Sequence, residues 1–195
     1  YQINEDNELS VGYNGALSNN GKGTIDVNGN FQNSHNDKLQ DSRLHNVFAR
    51  YSSGFGLDFG VDYTDYTMND KNRLVSKLTD NTRQLLDYTS DQKIRKFSVY
   101  ADQSHSLAND WTLKYGVRYD YTDNKNSQLF NQAEGKGNVD NSSSRLYEQI
   151  TNFYAGFDKE FENGLSLSLS ATGEYYTIGN YHKWAVYPQA SLSYS

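Results

Sequence analysis

The sequence predicts an all-β fold: an antiparallel up-and-down meander of about nine long strands that is part of a transmembrane β-barrel. Two observations lead to this prediction, long runs of alternating apolar and polar residues and the lengths of the connections between them. The clearest run is WTLKYGVRYDYT, twelve residues at 111–122. Its odd positions are apolar or aromatic, so a strand here has one apolar and one polar face. A strand that crosses a bilayer at a tilt needs about 9–11 residues.

The same alternation recurs along the chain and predicts each strand in turn. The predicted strands are residues 8–17, 23–34, 42–53, 56–68, 92–104, 111–123, 146–161, 165–178 and 185–195. In chain order, the apolar residues that share a face are Leu9, Val11, Tyr13 and Leu17; Ile25, Val27 and Phe31; Val47, Ala49 and Tyr51; Leu57, Phe59, Val61 and Tyr63; Phe97, Val99 and Ala101; the odd positions of 111–121; Phe153, Ala155 and Phe157; Leu165, Leu167, Leu169 and Ala171; and Val186, Pro188, Ala190, Leu192 and Tyr194.

The connections between these strands are predicted to alternate in length. Short ones fall at 18–22, 53–55, 105–110 and 162–164, and longer polar ones at 35–41, 69–91, 124–145 and 179–184. Outer-membrane barrels have short periplasmic turns and long extracellular loops. We therefore expect recognition to reside in loops 69–91 and 124–145. The leucine-rich part of 69–91 has spacings that suit a short amphipathic helical turn.

Composition excludes several classes of protein. No apolar run approaches the roughly 18 residues of a membrane helix, and 17 Tyr and 9 Phe are too many for a disordered chain. The absence of Cys excludes disulfides, thiolate catalysis and Cys-based metal sites. A net charge of −6 argues against a nucleic-acid partner. The four His lack metal-ligand spacing, and no catalytic or phosphate-binding motif is present, so we expect no enzymatic activity, metal or cofactor.

Aromatic residues fall near both ends of the predicted strands and suggest two belts at the boundaries of a bilayer. At the short-turn end they are Phe55, Trp111, Phe157 and Phe161. At the other end they are Tyr63, Tyr66, Tyr119, Tyr121, Tyr147, Tyr175 and Tyr176. Within this set we predict an aromatic girdle of Tyr63, Trp111, Tyr119, Tyr121, Phe157 and Tyr175. The alternative explanation is that aromatic residues simply favour strands.

Polar residues on the opposite parity would line the lumen of a barrel. These candidates are Asp58, Asp62, Asp102, Lys114, Arg118, Asp120, Asn152, Asp158 and Glu174. They could contact a plug or guide a ligand, or they could pair across strands and hold the register. Lys93 and Arg95 instead share the outward parity of Phe97, where they could contact lipopolysaccharide phosphates or form a solvated strand end.

Three segments carry a resemblance to a known family. FSVYADQSHSL (97–107) looks like a strand running into a periplasmic turn, WTLKYGVRYDYT (111–122) like a "G-x-R-Y-x-Y-T" strand, and VYPQASLSY (186–194) like an "F-P-x-x-x-L-S-Y" strand with Tyr187 in place of Phe. Residues 92–194 thus resemble the barrel of TonB-dependent receptors, particularly the outer-membrane type abundant in Bacteroidetes. Residues 1–70 fit by pattern alone.

The resemblance implies a receptor of about 22 strands in the bacterial outer membrane. It also implies a plug domain inside the barrel, TonB as the energising partner, and import of a scarce solute. This chain has no plug-like segment and too few strands for that whole. We therefore expect residues 1–195 to be a single, internal barrel segment that supplies wall and extracellular loops.

Two other functions stay open at this point. A complete small outer-membrane barrel of eight or ten strands would act as an adhesin or interaction protein. A soluble β-rich module would bind glycans through its Tyr and Trp faces. The membrane functions predict dependence on detergent, and the soluble one predicts a folded protein in plain buffer.

Overall fold

The computed structural model describes residues 2–4, 6–27, 31–78, 82–135 and 139–194. These residues form β-strands and short connections, and no helix is present among them. The strands are β1 (Gln2–Asn4), β2 (Asn7–Val27), β3 (Phe31–Ser53), β4 (Leu57–Leu78), β5 (Arg83–Ser106), β6 (Trp111–Glu134), β7 (Ser142–Glu160), β8 (Leu165–Ile178) and β9 (Tyr181–Tyr194).

All nine strands belong to one sheet whose spatial order is the order of the chain. Each strand pairs antiparallel with the next, from β1 with β2 to β8 with β9. The predicted all-β antiparallel meander is therefore confirmed. In the described part of the chain the sheet is open, with β9 at one edge and β1 beside β2 at the other.

The first predicted turn is wrong. Residues 18–22 lie inside β2, and the strand continues to Val27 across a register shift between Ser18 and Gly21. Ser18 pairs with Ser42 and Gly21 with Gln40, so two residues of β2 face one of β3, which is a β-bulge. The Asn-Asn-Gly sequence at 19–21 resembles a turn, but a bulge absorbs it without ending the pairing. Three predicted strands, 8–17, 23–34 and 42–53, thus correspond to two observed strands, β2 and β3. The number of strands is still nine because the structure adds the short β1, which was not predicted.

The strand predicted at 23–34 is consequently divided between two strands. Ile25 and Val27 belong to β2, whereas Phe31 belongs to β3. Residues 28–30, which lie between these strands, are outside the described residues.

The predicted long loops are also mostly strand. Residues 35–41 lie in β3, 69–78 in β4, 83–91 in β5, and 124–134 in β6. The expected helical turn is absent from the described residues, because Leu74 pairs with Leu86 and Val75 with Leu85 across β4 and β5. These stretches carry polar residues on both faces, and their few apolar residues, such as Leu85 and Leu86, are adjacent instead of alternating, so the sequence shows no strand periodicity there. Their backbone groups are nevertheless satisfied by neighbouring strands.

At one end of the sheet the strands continue far past the apolar residues, so that paired strand replaces most of the expected long loops. Connections 54–56, 107–110 and 161–164 lie at the opposite end of the sheet, which we call the first end, and the described connecting residues 82, 135, 139–141 and 179–180 lie at the second end. The tight turns at the first end use Gly56 and Gly164, with φ of 88° and 81°, a region that glycine adopts without strain. Strands β2–β7 all continue past the apolar residues toward the second end. We call these parts of the strands the strand extensions; they include residues 35–41, 69–78, 83–91 and 124–134.

A single sheet has no second layer against which to bury its side chains. Leu85, 3% exposed, is the one buried hydrophobic side chain in the described part of the chain. The other large apolar side chains are half-buried or exposed, among them Val11 at 68% and Leu192 at 66%. The candidate functional surfaces are consequently the two faces of the sheet.

Candidate functional site

Cross-strand register places the apolar residues of every long strand on one face. Directly opposed residues of an antiparallel pair point to the same side of the sheet. One such row runs across six strands from β3 to β8: Tyr51, Phe59, Ala101, Val117, Phe153 and Gly173. The next row contains Ala49, Val61, Val99, Tyr119, Thr151 and Tyr175. We call this side the apolar face and the other the polar face.

Aromatic rings lie at both ends of the apolar face. At the short-turn end, Trp111 and Phe157 meet edge to face with ring centroids 6.4 Å apart. At the other end, Tyr63, Phe97 and Tyr121 are opposed in one row across β4, β5 and β6. All six predicted girdle residues lie on this face, and between the two ends it carries mainly Val, Leu, Ala and Phe.

Two residues of the wider aromatic prediction lie on the other side. Tyr66 pairs with Leu44 and Ile94, and Tyr176 with Ile150, all at positions of the polar face. Their assignment to the aromatic belt is therefore wrong. Tyr66 and Tyr176 occupy even positions, whereas the neighbouring Tyr63 and Tyr175 occupy odd positions on the apolar face. The position of an aromatic residue along a strand does not by itself show which face it occupies.

The nine polar candidates all lie on the polar face, where the structure pairs several of them. Lys114 Nζ lies 2.6 Å from Asp158 Oδ2. Arg118 donates to Asp120 through Nε and Nη2 at 2.8 and 3.2 Å. Ser98 Oγ donates to the same carboxylate at 2.5 Å. These bonds fix the orientation of the charged groups at the centre of the face.

Other candidates remain apart from these pairs. Asp62 accepts from Asn46 Nδ2 at 2.9 Å, and β5 separates it from the Arg118–Asp120 pair. Asp58 and Asp102 are directly opposed, so two carboxylates face one another. Glu174 is opposed to Asn152 on the β8 side of the face. The candidates thus form separate polar contacts that are distributed over several rows of the polar face.

Two adjoining grooves on the polar face share three residues. The grooves, of about 460 and 550 Å³, are both lined by Arg50, Tyr100 and Asp102. The first also contains Asp58, and the second contains Arg118. Guanidinium, carboxylate and phenol groups together can bind a polar solute or a peptide through several hydrogen bonds. The sequence analysis missed Arg50 and Tyr100. Each occupies a polar-face position of its strand, and no motif in the sequence distinguishes it from the other residues of that face.

Three glycines on the polar face each lie under an aromatic ring of the opposed residue. The pairs are Gly12 with Phe48, Gly60 with Tyr100, and Gly116 with Tyr154. A Cβ at Gly12 would lie 2.5 Å from Phe48 Cε1, and one at Gly60 would lie 2.5 Å from Tyr100 Cζ. Each ring therefore occupies the space that a side chain would fill.

These glycine–aromatic pairs follow a sequence repeat that could have revealed them. Leu-x-x-Gly occurs at 9–12, 57–60 and 113–116, and a Val or Phe, aromatic, Ala triplet at 47–49, 99–101 and 153–155. Each Leu-x-x-Gly lies in the first strand of a hairpin, and each triplet in the second. The three hairpins β2–β3, β4–β5 and β6–β7 thus share one internal packing device.

Charged residues lie on the apolar-face parity just beyond the row of Tyr63, Phe97 and Tyr121, which we call the tyrosine row. Arg95 Nε lies 3.2 Å and Lys93 Nζ 3.7 Å from Asp65 Oδ2. Arg145 donates hydrogen bonds to the Asp123 carboxylate from Nε and Nη2, at 2.9 and 2.8 Å. The two cations proposed from sequence are therefore ion-paired and belong to a larger charged group.

The hydrogen bonds from Arg145 lower the pKa of Asp123 below its ordinary value, and the charges of Arg145, Arg95 and Lys125 act in the same direction. Burial opposes this shift, because the Asp123 side chain is only 10% exposed. The carboxylate is consequently held in its ionised form by its neighbours.

No group of three or more His, Asp or Glu side chains that could hold a metal ion occurs within the described residues. None of the described segments is a helix long and apolar enough to cross a membrane. The chain matches no protein-family model, and no curated protein is significantly similar to it.

Replacing Gly116 by alanine is expected to destabilise the sheet. The new Cβ would lie 2.6 Å from Tyr154 Cε1 and 2.9 Å from the Ala101 carbonyl oxygen, and it would also clash with the Asp102 carboxylate. Overpacking of this kind costs about 1–3 kcal/mol. Urea unfolding of the Gly116→Ala protein measures the loss.

Gly173→Ala is the matched control, because a Cβ there meets only the Phe153 carbonyl oxygen, at 4.0 Å. It also replaces a strand glycine by alanine, so intrinsic propensity is the same in both variants. If the two variants have equal unfolding midpoints, the ring of Tyr154 can move away from a Cβ at position 116 without loss of stability, and the prediction is wrong.

The Asp123–Arg145 pair is expected to stabilise the fold in a pH-dependent way. The folded-state pKa of Asp123 is depressed, so its contribution is fully present above the unfolded value of about 3.9. The contribution is lost as pH falls below that value and through the folded pKa. The difference in unfolding midpoint between the natural protein and Asp123→Asn should be largest near pH 7 and vanish in acid. Asp140→Asn, in the exposed connection after β6, is the control.

Proposed function

We propose that this chain forms a segment of the wall of an outer-membrane importer similar to TonB-dependent receptors, together with strand extensions that gather a scarce solute outside the cell. The observation that carries the proposal is the continuous, exposed apolar face with aromatic rings at both ends. The family and the import activity rest on the resemblance of residues 92–194 to that barrel. Outer-membrane lipid, a plug domain and TonB are the partners that this function implies.

The height of the apolar face supports a membrane location. On β6 the face is bounded by Trp111 and by Tyr121, which lies ten positions further along the chain. At about 3.3 Å per residue this is about 33 Å of strand. If the strands are tilted by about 45° from the membrane normal, this length gives a band roughly 23 Å tall. The apolar band of outer-membrane barrels is similar, with a height of about 25 Å. Tyr and Trp at its ends suit the boundary between hydrocarbon and headgroups.

Water is a poor environment for such a face. Phe153, Leu169 and Trp184 are 49%, 44% and 63% exposed, although each lies in a long paired strand. Burying a large apolar side chain stabilises by about 1.5–3 kcal/mol. An apolar surface of this extent on a soluble monomer would favour association. A bilayer covers the whole face without requiring a complementary protein surface.

The polar face supports a role as the inner wall. Several of its charges are paired, as between Lys114 and Asp158, and in a barrel the face would be hydrated on the side away from lipid. The grooves lined by Arg50, Tyr100 and Asp102 offer both hydrogen-bond donors and acceptors. In a barrel with a plug, such grooves would contact the plug or the passing solute.

The strand extensions support an orientation. Outer-membrane barrels keep their short turns in the periplasm and project longer segments outside the cell. The end with the turns at 54–56, 107–110 and 161–164 would accordingly face the periplasm. The extensions of β2–β7 would rise above the outer leaflet, where a solute first binds.

Cysteine variants test the membrane location cleanly because the natural chain has no Cys. Leu169 and Ser170 are neighbours on β8 that point to the apolar and the polar face, respectively. We expect a nitroxide label at Leu169→Cys to collide with oxygen dissolved in lipid and to be shielded from a water-soluble nickel chelate. A label at Ser170→Cys should show the reverse. Electron paramagnetic resonance of the protein in lipid vesicles measures both accessibilities.

The strand extensions supply the control for this experiment. Ser90 and Asp91 are neighbours on β5 beyond the tyrosine row, and labels at both should be reached by the nickel chelate. If the protein instead stays folded and monodisperse in plain buffer, with Leu169→Cys exposed to water, the membrane location is wrong. That outcome would favour the soluble glycan-binding module.

Import requires a test in cells. Cells that lack the gene are expected to grow more slowly in at least one of a set of media, each limited for a single solute. A protonophore should abolish the corresponding uptake in normal cells, because import through this family is energised from the inner membrane. Loss of surface attachment with unchanged growth in every medium would contradict import and favour the adhesin-like barrel.

A further inference from the structure

Two adjoining rows of charged residues run across the sheet on the apolar-face parity, directly beyond the tyrosine row. The first row is Arg43, Thr67, Lys93, Lys125 and Arg145, one residue from each of β3–β7. The second, next to the tyrosines, is His45, Asp65, Arg95, Asp123 and Tyr147. We call Arg43, Lys93, Arg95, Lys125 and Arg145 the cationic belt.

The cationic belt is an excess of positive charge on an acidic protein. Its five cations face two carboxylates, Asp65 and Asp123, whereas the whole chain carries a net charge of −6. The side chains of Lys93, Arg95 and Arg145 remain 42%, 46% and 49% exposed despite their ion pairs. Their unused N–H groups are therefore available to an anion.

A groove joins this belt to the apolar face. It has a volume of about 620 Å³, and its lining includes the rings of Tyr63, Phe97, Tyr119 and Tyr121 and the guanidinium groups of Arg95 and Arg145. The ring of Tyr147 supports Arg145, whose Cζ lies 4.6 Å from the ring centroid. One end of the groove is thus aromatic and the other cationic, a few ångströms apart along the same strands.

We propose that this groove and the cationic belt bind the phosphate groups of lipopolysaccharide in the outer leaflet. The inference rests on the proposed outer-membrane location and adds a specific lipid partner to it. Phosphate is the anion that the forked guanidinium matches through paired hydrogen bonds. The aromatic end accepts the acyl chains and sugar of the same molecule, so the site suits a phosphorylated glycolipid better than a free anion.

The row geometry explains why several cations are needed. Neighbouring strands lie about 4.8 Å apart, so the belt from β3 to β7 spans about 19 Å. A lipid with two phosphate groups can contact cations on separate strands at once. Asp65 and Asp123 hold the Arg95 and Arg145 side chains in place, and a phosphate can bind to the N–H groups that these carboxylates leave unused.

The test uses purified lipid A in its diphosphorylated and dephosphorylated forms, with the protein in detergent. Native mass spectrometry measures how much lipid A each protein retains. Lys93→Gln/Arg95→Gln removes two adjacent cations of the belt. We expect this variant to bind diphosphorylated lipid A about 30-fold more weakly, on the basis of about 1 kcal/mol for each cation near an anionic lipid surface. Dephosphorylated lipid A should bind both proteins equally weakly.

Lys71→Gln/Arg73→Gln is the matched control. It removes a Lys and an Arg at the same spacing from the same face of the adjacent strand β4, but further out along the strand extension. This variant should retain lipid A as the natural protein does. Equal losses in the two double variants would show non-specific attraction and overturn the proposed site.

Two further outcomes would also overturn it. Displacement of lipid A by millimolar inorganic phosphate would identify a site for soluble anions. Unchanged retention in Lys93→Gln/Arg95→Gln would show that the belt does not bind the lipid. The nitroxide measurements on Leu169→Cys and Ser170→Cys decide the membrane location independently, so failure of lipid binding is distinguishable from failure of the proposed function.

Discussion

The register between neighbouring strands is the constraint on which both faces of this sheet depend. Side chains alternate along a strand, so a shift of one residue would move every apolar group of that strand to the polar face. The observed pairs, such as Ala101 with Val117 and Phe157 with Leu169, keep apolar residues opposed from β3 to β9. The apolar face, the paired charges opposite it and the cationic belt all follow from this one alignment.

Interactions on the polar face favour this register. In a single sheet without a second layer, a buried core cannot select one alignment over another. The three glycine–aromatic pairs can do so, because each ring fits only above the residue that lacks a Cβ. Ion pairs such as Lys114–Asp158 and Arg118–Asp120 add charge complementarity near the same places. The polar face thus combines a structural role with its proposed role as an inner wall.

The long strand extensions change where recognition is expected to occur. The sequence predicts long recognition loops at 69–91 and 124–145, but most of these residues lie in paired strands that carry polar groups on both sides. A solute that binds outside the cell would therefore meet a largely preformed surface. Ordering such a surface on binding costs little conformational entropy, which favours affinity. In the proposed function this is the part of the chain that first contacts the solute.

The sequence by itself determined the fold class and the two-sided character of the strands. Alternation across 111–122 or 165–171 is a local property, and any strand with that pattern has an apolar and a polar face. The sequence also placed every polar candidate on one face, and Lys93 and Arg95 on the other. It failed at 18–22 and at 69–91, because a bulge and a two-sided polar strand produce the same local signals as a turn and a loop.

Only the tertiary structure decided which residues meet across strands. The glycine–aromatic pairs, the groove that joins four rings to Arg95 and Arg145, and the alignment of cations from β3, β5, β6 and β7 depend on register between segments that lie far apart in the chain. The extent of the strands beyond the tyrosine row was decided in the same way. Backbone hydrogen bonds to a neighbouring strand stabilise a polar stretch that has no pattern of its own, and only the folded sheet supplies that neighbour.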